Sequence, residues 1–82
     1  MIDLQIFLMP YCPPCSLTLK AAERLKGEFP DLRVTRVYIT EQPQMAVKYQ
    51  ISKAPGVVVN GKLEFQGVVN ESQLRDRLRQ LS

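Results

Sequence analysis

Two cysteines with two prolines between them, Cys12-Pro13-Pro14-Cys15, are the residues whose type and spacing can do chemistry. A thiolate attacks a disulfide sulfur, and a second thiol close by can then displace the product by attacking the first, so the pair suits thiol–disulfide exchange. These are the chain's only cysteines, and the loop they would close is too short to staple a fold. In a reducing compartment such a pair is redox-active or metal-binding rather than structural. Two thiolates make half of a tetrahedral site, so the alternative function is a zinc- or iron–sulfur-binding protein sharing four cysteines across a dimer. A redox-silent interaction module, with the cysteines as small buried hydrophobes, is the remaining class. The chain has no histidine, which excludes histidine-dependent triads and histidine metal sites within it.

The neighbouring elements must position the pair. Ile2 to Met9, with Ile6, Phe7 and Leu8 contiguous, reads as a buried strand stopped by Pro10. From Pro13 the pattern becomes helical: Leu17, Ala21, Leu25 and Phe29 recur at four-residue spacing, Leu19 and Ala22 widen the apolar face, and Gly27 and Pro30 end it. Leu32 to Ile39 is a second strand, placed near an edge by Arg33 and Arg36, and the intervening helix favours a parallel pair. Pro43 opens a short helix carrying Met45, Ala46 and Tyr49. Val57 to Val59, Asn60-Gly61 and Leu63 to Phe65 make a hairpin, because Asn-Gly supplies the two positive φ angles of a type I′ turn. Asn70 and Gln73 suit a capping box for a terminal helix with Leu74, Leu78 and Leu81 on one face. Arg75, Arg77 and Arg79 fall largely off that stripe and read as a solvated face. Met9 and Met45 read as core filling.

A chain of 82 residues with 45% hydrophobic content encloses one core, so residues 1–82 read as one domain. The apolar start is far shorter than the ~20 residues a membrane span needs and lacks the features of an export signal, which points to a cytoplasmic protein with no membrane role. The net charge of +3 is spread along the chain without a basic block, and aromatic residues are few. That argues against nucleic acid as a partner.

A Cys-X-X-Cys pair that follows a buried strand and opens a helix is far more specific than the spacing alone. Unpaired backbone N–H groups and the helix dipole favour a thiolate at Cys12, while Cys15, one turn further in, is the more buried thiol. Pro13 and Pro14 fit the first turn, since neither has the N–H that a helix start leaves unpaired. Tyr11 is placed to shield the nucleophile and touch substrate. Over essentially its whole length the chain resembles the thioredoxin and glutaredoxin superfamily: the element order, the active-site position and Ala54-Pro55 before a hairpin all match. The stretch from Ala54-Pro55 through Asn60-Gly61-Lys62 to Phe65 and Gly67 is similar to protein disulfide oxidoreductase units. It is also similar to the N-terminal electron-relay domain of alkyl hydroperoxide reductase flavoproteins.

The resemblance implies an α/β thioredoxin-like fold, βαβαββα, with three helices and a four-stranded mixed sheet ordered 2-1-3-4. It implies a nucleophilic Cys12, a resolving Cys15 and a cis proline, Pro55, facing them, with Tyr11, Pro13, Ala54 and Pro55 forming the substrate site. The resulting expectation is a monomeric protein dithiol–disulfide oxidoreductase that acts on protein disulfides, needs no cofactor and has its cycle completed by an external redox partner, a reductase or an oxidant. Two departures have consequences. Thioredoxins carry a buried acid where this chain has Ile6, so the Cys15 proton must move through water or another group. Met9 and Gly67-Val68 stand where glutaredoxins carry a lysine and a Gly-Gly-acid stretch, which argues against a glutathione site.

Overall fold

β1 (Ile2–Leu8) is an inner strand of the sheet, buried along one face at Ile2, Leu4, Ile6 and Leu8 and on the other at Phe7, while Asp3 is exposed. The computed structural model describes residues 2–81. The remaining elements are α1 (Pro13–Leu25), β2 (Leu32–Tyr38), α2 (Pro43–Lys48), β3 (Gly56–Val59), β4 (Lys62–Gln66) and α3 (Glu71–Leu81). The sheet runs β2-β1-β3-β4, with β1 parallel to β2 and antiparallel to β3, and β3 antiparallel to β4. This is the thioredoxin-like order that the resemblance implies, and β2 is the edge strand that its arginines suggest.

Alternation along β1 divides the core. Leu4, Ile6 and Leu8 join Cys15, Ala22, Leu25, Leu74 and Leu78 in the cluster beneath α1 and α3. Phe7 points the other way and packs with Val37 and Val58 against Met45 and Tyr49, meeting the Tyr49 ring edge-on at 5.8 Å.

The face that α1 buries differs from the four-residue series. At 3.6 residues per turn each four-residue step overshoots by about 40°, so the series drifts around the helix. The buried residues are Cys15, Thr18, Ala21, Ala22 and Leu25, which follow three- and four-residue steps. Leu17 stands 63% exposed. Met9 is likewise exposed rather than core, because β1 ends at Leu8 and releases it into the following loop.

Local signals close the remaining elements. Asn60 and Gly61 adopt φ of 51° and 82°, the type I′ hairpin geometry. Asn60 is also tied to β1: its N–H donates to the Asp3 carbonyl at 2.8 Å, and its Oδ1 accepts from the Asp3 N–H at 2.9 Å. The capping box at α3 is reciprocal. Gln73 N–H donates to Asn70 Oδ1 at 2.8 Å, and Asn70 N–H donates to Gln73 Oε1 at 3.3 Å.

None of the three arginines on α3 is simply solvated. Arg75 bridges Glu28 and Glu71, Arg79 reaches Glu28 at 3.8 Å, and Arg77 reaches Glu64 at 2.8 Å. The register slip in the β3–β4 pair between Val57 and Val58 leaves Glu64 as the extra residue, with its side chain only 9% exposed. That hydrogen bond raises the Arg77 pKa above its ordinary value.

Candidate functional site

The parallel register pairs Leu8 with Tyr38, so β1 and β2 end together and the loop after β1 emerges at the carboxyl end of the sheet. Tyr11 turns that loop with φ of 56°, a left-handed conformation uncommon for a bulky residue, and its side chain is fully exposed. The turn delivers Cys12 to the N-cap of α1 in extended geometry.

Pro13 and Pro14 then occupy the first helical turn without N–H groups. The first backbone donor of the helix is therefore Cys15 N–H, which lies 3.2 Å from Cys12 Sγ and 3.1 Å from the Cys12 carbonyl. Ser16 N–H donates to that same carbonyl at 3.3 Å. The two prolines thus leave a single helix-start N–H aimed at the Cys12 sulfur.

Cys12 and Cys15 are joined as a disulfide with their Cα atoms 5.2 Å apart. Their surroundings differ: Cys12 is partly exposed at the rim, whereas Cys15 is 3% exposed within the main cluster. Among the described residues, no group of three or more histidine, cysteine, aspartate or glutamate side chains converges as a metal site would require.

Beside the disulfide on the β2 side lies an open groove of about 560 Å³, floored by Leu8 and Leu19 and walled by Met9, Tyr11, Ser16 and Tyr38. No carboxylate, ammonium or guanidinium group lines it. On the other side, Ala54 packs against the cluster that contains Cys15, as does Cys12, and the Ala54–Pro55 peptide is cis. Pro55 is buried; Pro13 is exposed.

The loop before that peptide is tied to the end of β4. Gln66 Oε1 accepts from Ser52 N–H at 2.8 Å, from Lys53 N–H at 3.2 Å and from the Ser52 hydroxyl at 3.2 Å. Gly67 N–H donates to the Pro55 carbonyl at 2.8 Å. Sequence reasoning singles out Tyr11, the prolines, both cysteines and Ala54-Pro55, and does not anticipate that Tyr38 lines the groove or that Gln66 ties down the loop before Ala54. Pairing the ends of β1 and β2 is the signal that brings Tyr38 to the site. Gln66 carries no signal beyond being a polar residue beside Gly67.

A β2-β1-β3-β4 sheet with a cysteine pair at the start of the helix after its first strand defines the thioredoxin-fold thiol–disulfide oxidoreductases. The chain belongs to the thioredoxin-domain family, whose model matches residues 2–79. It is 30% identical to a thioredoxin of Methanocaldococcus jannaschii over 79 residues, covering 95% of this chain and 93% of the relative. It is 29% identical over 82 residues to a probable thioredoxin of Archaeoglobus fulgidus, covering 99% of this chain and 90% of that one.

The structure of Fasciola hepatica thioredoxin superposes with a TM-score of 0.83 at 26% identity, covering 99% of this chain and 81% of that one. Oxidised mitochondrial thioredoxin 3 of Saccharomyces cerevisiae shares the fold, with a TM-score of 0.79 at 20% identity, 96% of this chain and 77% of that one. The protein is accordingly a protein dithiol–disulfide oxidoreductase with a redox-active Cys-Pro-Pro-Cys disulfide. Among the described residues no helix is long and apolar enough to cross a membrane.

Proposed function

We propose that Cys12 is the nucleophile and Cys15 the resolving thiol of a relay that reduces disulfides in extended polypeptide segments. The observation that carries this assignment is the asymmetry of the pair: Cys12 sits at the rim facing a helix-start N–H, while Cys15 is enclosed. A disulfide sulfur must reach the attacking thiolate, which favours the accessible sulfur.

In the reduced protein, Cys12 thiolate attacks one sulfur of the substrate disulfide, forming a mixed disulfide and releasing the other sulfur as a thiolate. Cys15 then gives up its proton to solvent and attacks Cys12 Sγ, which releases the second substrate thiolate and forms the Cys12–Cys15 disulfide. Two electrons pass to the substrate, and an external reductase returns two to the protein.

Tyr11, Pro13, Ala54 and Pro55 form the substrate surface around the sulfurs in this reading. Its support at Ala54 is an unused peptide: no hydrogen bond is made to the Ala54 N–H or C=O among the described residues. Half-buried backbone groups without partners suit pairing with an added strand. Residues 1–82 act as one domain, as a monomer in the cytoplasm.

Single-cysteine variants test the roles. Cys12→Ser abolishes turnover, and Cys15→Ser accumulates a mixed disulfide with substrate through Cys12. Equal trapping by both variants overturns the assignment.

A further inference from the structure

We infer that Gln66 is a positioning residue for substrate recognition: its side-chain oxygen, together with Gly67 N–H, holds the Ala54 peptide open for a polypeptide partner. The inference rests on the reading that Ala54 pairs with substrate.

The hydrogen bonds fall on either side of that peptide. Upstream, Gln66 Oε1 gathers Ser52 N–H, Lys53 N–H and the Ser52 hydroxyl. Downstream, Gly67 N–H holds the Pro55 carbonyl. Between them the Ala54 N–H and C=O are left without a partner. Two backbone donors converge on the Gln66 side chain, so its oxygen and not its NH₂ must face the loop.

Gln66 is the last residue of β4 and pairs in register with Gly56, directly after Pro55. A side chain anchored in the sheet thereby sets the path of a loop that has no regular structure of its own. Without this oxygen, two adjacent N–H groups lose their shared acceptor and the loop samples other paths. A partner strand must then order it on binding. The effect falls on affinity for polypeptides, because a small disulfide that reacts only at Cys12 makes no use of the Ala54 peptide.

The test compares Gln66→Met, which keeps length but removes the acceptor, with Gln66→Glu, which keeps an oxygen at that reach. Two substrates are used, a disulfide-linked peptide and a small aromatic disulfide with no peptide groups. Gln66→Met is expected to raise KM for the peptide about tenfold, with kcat and the small-disulfide rate within about twofold of the parent. Gln66→Glu is expected to restore KM to within about threefold. A second readout is amide exchange at Ala54 in the Cys15→Ser protein trapped with the peptide. Slowed exchange with Gln66 present and its loss in Gln66→Met support the inference. Slowed exchange with an unchanged KM in Gln66→Met overturns the role of Gln66 and leaves the Ala54 reading standing. Exchange that is not slowed even with Gln66 present overturns both. An equal loss of rate on both substrates marks a merely structural role and also overturns it.

Discussion

Thr18→Val should make this protein more stable. Thr18 is fully buried on α1, one turn beyond Cys15 on the same face, and its Oγ1 has no hydrogen-bond partner among the described residues. A buried hydroxyl left unsatisfied costs about 1–3 kcal/mol, the water it gave up not being replaced. Valine has nearly the same shape and branching, and its helix propensity is close to that of threonine, so the substitution removes that cost without opening a cavity. A gain of about 1–3 kcal/mol corresponds to a rise in Tm of roughly 4 °C or more for a domain of this size. Denaturant unfolding of the oxidised protein checks it, with the midpoint moving up at constant m-value. The gain should be the same in the reduced protein if the hydroxyl plays no part in holding the Cys15 thiol. A lower midpoint in Thr18→Val refutes the reasoning, since it requires a bonded hydroxyl whose loss is felt.

Reduced Cys12 should titrate below the ordinary cysteine value of about 8.5, because the helix-start N–H of Cys15 faces its sulfur. Thiolate absorbance against pH measures this, and a midpoint at or above the ordinary value contradicts it. A pKa lowered in the folded state means that the reduced protein gains stability above the unfolded value and loses it as pH falls through the folded one. Glutathione should be a poor reductant, because the neutral Met9 and Val68 and a groove without charged lining offer nothing to its carboxylates. Efficient turnover with glutathione as sole reductant would refute that expectation.

What was legible in the sequence follows from range. The Asn60-Gly61 turn, the Asn70–Gln73 box and the Pro13-Pro14 helix start each depend on residues within a few positions of one another, so residue chemistry alone reveals them. The buried face of α1 departs from the four-residue series because Leu17 has the hydrophobicity of a core residue while Thr18 has the position of one. Only the packing of α1 against β1 and α3 decides between them. Arg77 reads as solvated from the sequence because its partner, Glu64, is brought within reach only by the bulged part of β4.

The candidate site divides along the same line. Its sulfur chemistry is local: a strand end, a positive-φ turn, two prolines and one backbone donor all lie within eight residues of the chain, from Leu8 to Cys15. The proposed recognition surface is assembled from distant segments. Tyr38 reaches the groove only because β2 runs parallel to β1 in register with it, and Ser52 meets Gln66 only because the β3–β4 hairpin returns the chain to the same end of the sheet. A motif can thus announce the reaction while leaving partner preference to residues that carry no pattern. It follows that changes at Tyr38 or Gln66 should alter which disulfides are used, whereas changes within Cys12 to Cys15 should alter whether any are.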